Sequence, residues 1–508
     1  MNSFLEVIDH IQLTEKDSFD SLFLHSGEKG QAAFQEQIEQ VTRKIVQTFN
    51  HNDGPFVGKK PEEIQSEIEG LMEFPDDSRS FNDVIEEIGT PLLKNNLQVS
   101  HEKSIAHLHC PPLVPAIAAE LVISAFNQSL DSWDQSTSAT YIEQRMVDWL
   151  TGQFGYSETS DGTFTSGGTQ SNYMGLLLAR DEYCFKKWGR NIKKDGLPAD
   201  FHRLRILCSE EAHFTVQKSA AQLGLGERAV ISVKTDDDHR ISTHHLKQVL
   251  TYCKQDGNLP FALVGTCGTT DFGSVDPIVE LAQIAAQEDL WFHIDAAFGG
   301  ALILSNRFKW KLDGINLANS IAVDFHKLFY QPISCGAFLV KDKQSFQFLN
   351  HHADYLNPAE DDEEGIPNLV NKSILTSKRF DAFKLFLSLK TVGVKKFATM
   401  IDYTFALAQD TVNYLALQND MTVLNHHPEL NTVIFRYEPN DLCPNLCQLN
   451  RKIQQQMLYE GSGAIAKTTV NGDTYLKFTM LNPRTKLEHV EEIVCEIRAL
   501  GKKWRKDL

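Results

Sequence analysis

The sequence predicts an α/β fold with a helical segment before the main sheet and a small α+β domain after it. Three observations support this prediction. Residues 101–390 alternate short apolar runs with helical stretches, which is typical of a large, mostly parallel sheet with helices on both faces. Residues 1–100 carry apolar side chains at helical spacing. Residues 391–508 combine two predicted strands, at 432–437 and 475–481, with a closing helix that has one apolar face.

The composition is that of an ordinary globular protein, and it excludes several classes of partner. The 508 residues are 42% hydrophobic and 23% charged, which is not the balance of a disordered chain. Lys and Arg total 49 against 67 Asp and Glu, so the formal net charge is −18. This acidic balance argues against nucleic acid or an anionic membrane as the main partner. Small molecules, cationic ligands and other proteins remain.

The first 100 residues are predicted to form helices rather than a domain with its own core. Leu5 and Ile8, and later Ile38, Val41 and Ile45, recur at helical spacing. The segment has too little apolar material to bury an independent core. We therefore expect this arm to pack on the main domain or on a partner subunit.

The main domain contains five short apolar runs that are predicted to be buried strands. In chain order they span residues 205–208, 261–266, 290–294, 320–323 and 336–340. Ligands of open α/β sheets bind at the carboxyl ends of the strands. The polar residues that directly follow these runs are therefore the candidates for a functional site.

No segment is predicted to cross a membrane, and the cysteines are predicted to be free thiols. The longest apolar stretch, residues 113–126, is interrupted by Pro115 and Glu120 and is shorter than the roughly 20 residues that a bilayer requires. The nine cysteines are scattered, and the close pair Cys443 and Cys447 lacks the second pair that a zinc site needs. We expect a cytoplasmic protein without a secretory signal and without a bound metal.

Two strand ends place a lysine and carboxylates at the expected edge of the sheet. The fourth run is followed by Asp324, His326 and Lys327. An amine held in a low-dielectric pocket is a usable nucleophile for an aldehyde. The third run is followed by Asp295, a carboxylate that needs a partner such as a protonated pyridine nitrogen. The alternatives are a solvated lysine and an aspartate that caps the next helix.

A further stretch, residues 163–172, places small residues at the start of a predicted helix. Gly168, Thr169 and Gln170 leave backbone N–H groups exposed at the positive end of the helix dipole. That arrangement is typical of a phosphate site. The alternative is a helix N-terminus without a ligand.

The first two runs are followed by a histidine and by hydroxyl side chains. His213 follows the first run, and its imidazole can stack on a planar ring; the alternative is a structural histidine. Thr269 and Thr270 follow the second run and can reach a bound ring; the alternative is turn chemistry. Together with the small residue Ala297, the five motifs describe a site for pyridoxal 5′-phosphate.

These motifs occur in an order, from His101 to Asp381, that resembles the group II pyridoxal-phosphate-dependent amino-acid decarboxylases. Segments 107–112, 127–135 and 355–370 resemble the branch of bacterial diaminobutyrate decarboxylases, which has ornithine and lysine decarboxylases as relatives. The resemblance implies a fold-type I enzyme and a homodimer with the active sites at its interface.

The resemblance also implies roles for individual residues. Lys327 would bind the cofactor aldehyde, Asp295 would pair with the pyridine nitrogen, and His213 would stack on the ring. Tyr355 would protonate the carbanion carbon, and Arg379 belongs to a basic signature after a mobile loop. The other implied cofactor contacts are Gly168, Thr169, Gln170 and His326 at the phosphate, Ala297 on the second ring face, and Thr270 and Asp324 nearby.

The expected substrate is a basic aliphatic L-amino acid, above all L-2,4-diaminobutyrate, converted to 1,3-diaminopropane and CO₂ for diamine or siderophore synthesis. Its distal ammonium needs acceptors. We expect Asp131, Asp134 or a carboxylate of residues 360–364 to meet that ammonium, and the alternative for the acidic run is a solvated cluster. Ornithine or lysine, and an aromatic amino acid or glutamate, are alternative substrates. A non-catalytic scaffold that holds the cofactor is the alternative from a different class, and the presence of both Lys327 and Tyr355 argues against it.

Overall fold

A seven-stranded mixed sheet forms the centre of the computed structural model, which describes residues 19–50, 54–353, 356–441 and 443–507. Its strands are β1 Asp161–Thr165, β2 Leu204–Ser209, β3 Val230–Val233, β4 Leu259–Thr266, β5 Trp291–Asp295, β6 Ser320–Asp324 and β7 Gly336–Val340. Their spatial order is β1-β7-β6-β5-β4-β2-β3. Strand β7 is antiparallel to both of its neighbours, and the remaining neighbouring pairs are parallel. Strands β1 to β6 therefore share one direction and end at one edge.

The chain divides into two compact units, of which the first comprises the N-terminal segment to Gln98 and Tyr459–Ser462. Its helices are α1 Glu28–Phe49, α2 Pro61–Glu69 and α3 Phe81–Ile88, and α3 continues into a π-helical turn at Gly89–Leu93. Helix α1 buries only Gly30 and exposes Ile45, Val46 and Phe49. The helical character predicted for this segment is confirmed over the residues that the structure describes.

The second unit, Val99–Leu458 and Gly463–Leu508, contains the seven-stranded sheet and the remaining helices. These helices are α4 Val114–Phe126, α5 Trp133–Ser136, α6 Ser138–Gln153, α7 Gly168–Trp188, α8 Ile192–Asp195, α9 Thr215–Gln222, α10 Thr243–Gln255, α11 Ile278–Gln287, α12 Ala359–Glu364, α13 Ala382–Val392, α14 Val394–Ala416, α15 Leu446–Tyr459 and α16 Leu487–Trp504. Short 3₁₀ segments occur at Ala199–Arg203, Glu227–Ala229, Gly299–Leu304, Lys309–Leu312, Ile315–Leu317, Lys343–Phe348, Leu369–Lys372 and Arg505–Asp507. No helix within the described ranges is long and apolar enough to cross a bilayer.

The large sheet is apolar on both faces, as a sheet covered by helices on both sides must be. Along β2 the side chains alternate between two separate cores, with Leu207 in one and Ile206 and Cys208 in the other. Strand β4 alternates in the same way, with Leu263 and Val264 on opposite faces. The α/β fold class is therefore confirmed, with β7 as the one antiparallel strand in an otherwise parallel arrangement.

A second, antiparallel sheet follows near the C-terminus. Its strands are β8 Met421–Val423, β9 Thr432–Tyr437, β10 Ala466–Val470 and β11 Asp473–Thr479, in the order β10-β11-β9-β8. With one face of α16 it encloses a core of its own, which includes Phe435 and Val494. The predicted strand at 475–481 begins and ends two residues earlier than expected. The predicted domain boundary at 390/391 stays a prediction, because both sheets lie in the same compact unit.

A buried ion pair joins helix α6 to the segment that precedes α13, and both of its side chains also contact strand β1. Lys378 and Glu143 form a hydrogen-bonded pair whose side chains are 4% and 1% exposed. Nζ of Lys378 also lies 2.8 Å from Oγ1 of Thr163, and the carboxylate of Glu143 accepts a hydrogen bond from the backbone N–H of Phe164 at 3.0 Å. Burial lowers the pKa of Lys378 to about 7, and the negative charge of Asp381 partly opposes this shift. The pair holds β1 in place where this strand leads into α7.

Candidate active site

The carboxyl ends of the parallel strands open onto a cavity of about 300 Å³. Nine of the ten residues predicted to contact a cofactor line it. They are Gly168, Thr169, His213, Thr270, Asp295, Ala297, Asp324, His326 and Lys327. Residues that are far apart in the sequence meet here because six strands of one direction end at the same edge.

Lys327 follows the end of β6 and is held by the last residue of that strand. Its Nζ is 3.1 Å from Oδ2 of Asp324, and Nε2 of His326 is 3.6 Å from the same oxygen. The side chain of Asp324 is 4% exposed, so this ion pair lies at the wall of the cavity rather than on the surface. An amine in this position can attack an aldehyde once it loses a proton, and the carboxylate of Asp324 is placed to accept that proton.

Asp295 ends β5 and is a buried carboxylate without a cationic partner among the described residues. Its Oδ2 accepts a hydrogen bond from Nδ2 of Asn172 at 2.7 Å, and its Oδ1 accepts one from the backbone N–H of Ala297 at 3.1 Å. Only 7% of the residue is exposed, and it lines the cavity. A buried carboxylate is costly unless it is paired. The protonated nitrogen of a bound ring would complete its surroundings.

His213 lies between the end of β2 and the start of α9. Its Nδ1 is 3.0 Å from Oγ1 of Thr215. Burial lowers the pKa of His213, although the neighbouring Asp295 raises it, so the imidazole is neutral at pH 7. A neutral, half-buried imidazole at the cavity can lie against a planar ring.

The turn from β1 into α7 has features that are typical of an anion site. Gly167 has φ = 142°, which favours glycine, and a Cβ at this position would lie 2.8 Å from Cε1 of His326. Helix α7 begins at Gly168 without a side-chain cap, so its first N–H groups face the cavity edge with the positive end of the helix dipole. A phosphate group satisfies these donors.

Gln170 lies beside this turn rather than in the wall of the cavity. Its Oε1 accepts hydrogen bonds from the backbone N–H of Ser166 at 2.9 Å and from the hydroxyl of Ser166 at 3.0 Å. Its Nε2 is buried and has no partner within the described ranges. The side chain therefore supports the turn and keeps one donor available for a ligand.

Two further predicted residues define the space for a ring. A Cβ on Gly168 would lie 3.3 Å from Cβ of Ala297, so these two small residues lie close together at the cavity. Thr270 lies in the loop after β4, where its carbonyl oxygen accepts a hydrogen bond from Nζ of Lys477 at 3.2 Å. Lys477 also forms an ion pair with Asp271 at 2.6 Å, which ties this loop to β11.

The cavity residues fit pyridoxal 5′-phosphate. Three buried polar atoms in and beside the wall have no hydrogen-bond partner in the described part of the chain, namely Nε2 of Gln170, Oγ1 of Thr266 and Oδ1 of Asp324. Buried polar atoms are normally paired, so these atoms indicate a missing polar ligand. An uncapped helix start, a buried carboxylate and a lysine match the phosphate, ring nitrogen and aldehyde of this cofactor.

Three of the residues predicted to bind the substrate do not line the cavity formed by the described residues of a single chain. Oδ1 of Asp131 accepts a hydrogen bond from the backbone N–H of Ser132 at 2.9 Å, and Oδ1 of Asp134 accepts one from its hydroxyl at 2.5 Å. Arg379 pairs with Glu120 and with Asp381. The predicted proton donor Tyr355 lies outside the described residues, as its neighbour Asp354 does.

The structure adds residues that the sequence reasoning did not single out. Leu108, Phe298 and Ile333 provide apolar wall, and Asn172 contacts Asp295 directly. Asn172 follows Gly168 by four residues, so both lie on one face of α7. This helical spacing could have identified Asn172, whereas no local pattern distinguishes the apolar residues from core.

Comparisons with known proteins agree with this geometry. A family model described as the pyridoxal-dependent decarboxylase conserved domain matches residues 61–438. The L-2,4-diaminobutyrate decarboxylase of Acinetobacter baumannii is 36% identical over 464 residues, which cover 90% of this chain and 90% of that relative. The enzyme of the same name from Rhizobium meliloti (strain 1021) is 36% identical over 490 residues, or 95% of each chain.

A solved structure is similar over nearly the whole chain. The glutamate decarboxylase domain of diaminobutyrate-pyruvate transaminase and L-2,4-diaminobutyrate decarboxylase from Vibrio parahaemolyticus has a TM-score of 0.89 and 40% identity. The match covers 96% of this chain and 100% of that chain. The family description names the cofactor that the cavity residues fit.

Replacing Lys327 with Ala tests the proposed attachment of the cofactor. We expect the wild-type protein, once reconstituted with pyridoxal 5′-phosphate, to keep a visible absorption band through dialysis. Lys327→Ala should lack this band and lose CO₂ release by about three orders of magnitude or more, because it removes the amine that is proposed to bind the cofactor aldehyde. Lys341→Ala, an exposed lysine after β7, is the control and should behave as wild type. A retained band in Lys327→Ala would contradict the assignment.

Proposed function

Because the chain belongs to the pyridoxal-dependent decarboxylase family, we propose that it decarboxylates L-2,4-diaminobutyrate to 1,3-diaminopropane and CO₂. The enzyme is a pyridoxal-phosphate-dependent amino-acid decarboxylase. The observation that carries the substrate proposal is the 36% identity, over 90% or more of both chains, to two diaminobutyrate decarboxylases. The diamine product would enter diamine or siderophore synthesis.

The residues of the cavity divide the chemical work among them. Bound pyridoxal phosphate supplies an aldehyde and an electron-withdrawing ring, which accepts the electron pair that CO₂ leaves behind. Lys327 would bind the aldehyde in the absence of substrate. Asp295 would keep the ring nitrogen protonated, and the N-terminus of α7 at Gly168 and Thr169 would hold the phosphate.

The reaction removes CO₂ from Cα and puts one proton in its place. We assign delivery of that proton to Tyr355, on the family resemblance. His213 would lie against one face of the ring and Ala297 against the other, so that the ring would be held between them. The apolar residues Leu108 and Phe298 would limit water at the reacting carbon.

The distal ammonium of the substrate requires a carboxylate, and we propose Asp131 or Asp134 for this role. Both side chains accept hydrogen bonds only from Ser132 among the contacts of the described residues, so each has remaining acceptor capacity. Neither lines the cavity of its own chain. Contact with the substrate would therefore come from a second subunit, as the family resemblance implies.

A homodimer is supported by an exposed apolar face on α4. Its side chains are exposed by 78% at Val114, 52% at Ile117 and 75% at Phe126, and Leu121 and Val122 are also exposed. Apolar side chains at successive helical turns form a continuous patch, and such patches mark interfaces. We infer that α4 packs against a second copy of the chain.

The cysteines support a reducing compartment. All nine are free thiols, and six of them are buried. Burial raises the pKa of the thiols of Cys110 and Cys208 to about 12, so both are protonated and unreactive at pH 7. We place the enzyme in the cytoplasm, where thiols remain reduced.

A substrate panel tests the proposed reaction. We expect CO₂ release from diaminobutyrate with a kcat/KM about tenfold or more above that for ornithine, because each extra methylene changes binding by that order. Lysine, glutamate and dopa should be poorer still. A preference for glutamate or dopa would instead favour the alternative that the substrate is an acidic or aromatic amino acid.

Removing single carboxylates tests the contact with the distal ammonium. We expect Asp131→Asn or Asp134→Asn to raise KM for diaminobutyrate about tenfold, the worth of one charge-assisted hydrogen bond, with a smaller change in kcat. Asp313→Asn, an exposed aspartate elsewhere, is the matched control. If all these variants, together with neutralised acids of residues 360–364, keep the wild-type KM, the proposal is wrong.

The proposed interface is tested by placing charge on α4. Ile117→Asp with Leu121→Asp should convert the dimer to a monomer in sedimentation analysis, because two buried carboxylates would lack partners. Leu417→Asp, at an exposed leucine outside α4, should remain dimeric. Active monomers of the wild-type chain at high dilution would contradict a shared active site.

A further inference from the structure

A chain of buried hydrogen bonds runs behind the cavity from β5 and β6 to the two residues that face the cofactor ring. Nε1 of Trp291 is 2.9 Å from Oγ of Ser320, and that oxygen is 2.8 Å from Nδ1 of His293. Nε2 of His293 is 2.9 Å from Oδ1 of Asn172. The amide of Asn172 then reaches Asp295 at 2.7 Å and Thr215 at 3.0 Å. Asn172 and His293 are 1% and 0% exposed, so water does not compete for these contacts.

The donors and acceptors in this chain can be assigned from Asp295 outward. A carboxylate can only accept, so Asn172 must present its NH₂ group to Asp295 and Thr215. Its carbonyl oxygen therefore faces His293, which must donate through Nε2–H. Burial lowers the pKa of His293 to about 4, so the ring is neutral and its Nδ1 is an acceptor. Ser320 donates to that nitrogen and accepts from the indole N–H of Trp291.

The second branch sets the tautomer of His213. The hydroxyl of Thr215 accepts from Asn172 and so keeps its own proton for Nδ1 of His213, at 3.0 Å. The backbone N–H of Thr215 also points to this nitrogen, at 3.4 Å. Nδ1 of His213 is thus an acceptor, and the neutral ring carries its proton on Nε2. Both groups assigned to the cofactor ring take their orientation from the single amide of Asn172.

Gly175 leaves the space that the imidazole of His293 occupies. This residue lies within α7, where glycine costs about 1 kcal/mol relative to alanine. A Cβ at this position would lie 2.6 Å from Nδ1 of His293. Glycine at this point is explained by the space that the imidazole occupies.

We propose that Asn172 and His293 are positioning residues that hold Asp295 and His213 in the orientation required by the cofactor ring. The inference rests on the proposed roles of Asp295 and His213. Neither Asn172 nor His293 needs to exchange a proton with the substrate. They contribute a chain of hydrogen bonds in which every donor and acceptor is fixed. If any one group exchanged its donor for its acceptor, a buried polar atom would be left unpaired.

Titration of the apoenzyme with pyridoxal phosphate, read by absorbance, tests this proposal without substrate. Asn172→Asp places a second carboxylate where Asp295 now accepts a hydrogen bond, and two carboxylates at this distance cannot both be ionised. We expect its Kd for the cofactor to rise about 10- to 100-fold, the usual cost of losing an outer hydrogen-bond partner, and kcat to fall by a similar factor. KM for diaminobutyrate should change by less than about threefold, because no substrate contact is removed.

Two substitutions of His293 separate orientation from simple packing. His293→Leu removes the Nε2–H donor and should weaken cofactor binding about 10-fold or more. His293→Gln supplies an amide N–H at a similar reach and should restore cofactor affinity to within about threefold of wild type. If His293 served only in packing, the affinities of the Leu and Gln variants for the cofactor would not differ according to their ability to donate a hydrogen bond.

Asn450→Asp is the matched control. Asn450 is fully buried in the C-terminal core, where its Oδ1 accepts from the N–H of Tyr437 and its Nδ2 donates to the carbonyls of Tyr437 and Leu446. This variant should lower the melting temperature while leaving cofactor Kd and kcat unchanged. The proposal is overturned if Asn172→Asp and His293→Leu keep wild-type Kd, or if Asn450→Asp changes Kd equally. Failure of wild-type protein to act on diaminobutyrate would instead refute the proposed substrate, because the Kd comparison does not use it.

Discussion

The burial of the Asp295 carboxylate is the constraint on which the active site depends. A charge at the end of a fully buried strand is tolerated only if every oxygen has a partner. The chain supplies the N–H of Ala297 and the amide of Asn172, and the ring nitrogen of the bound cofactor would supply the cation. Helix α7, through Asn172, and the backbone after β5 therefore meet at this one group.

Much of the site could be predicted from the sequence because strand ends obey a simple rule. Four of the five predicted apolar runs belong to strands of one direction, and the residues after them meet at one edge whatever the helices between them do. Lys327, Asp295 and His213 could be placed at the cavity for this reason. The phosphate turn could be predicted because Gly167 and Gly168 precede a long helical pattern.

Other parts could not be predicted, for identifiable physical reasons. Strand β1 has the sequence Asp-Gly-Thr-Phe-Thr, whose single large apolar residue gives no strand signal, and edge strand β3 is only partly buried. Strands β8 and β10 are short or half-exposed edges. Asp131 and Asp134 were predicted from the sequence as substrate contacts, but neither lines the cavity of its own chain, so their proposed role depends on a second subunit. The pairing of Lys378 with Glu143 joins residues that are 235 apart in sequence.

Helix α7 sets the distance between two points of the candidate site. Its first residue, Gly168, lies at the proposed phosphate end of the site, and Asn172, one turn later, lies at the end proposed for the ring nitrogen. The rise of an α-helix is about 1.5 Å per residue, so these two points are about 6 Å apart along its axis and cannot drift independently. A single inserted or deleted residue between them would rotate the amide of Asn172 by about 100° away from Asp295. The four-residue separation of Gly168 and Asn172 therefore fixes the distance between the two proposed ends of the cofactor site.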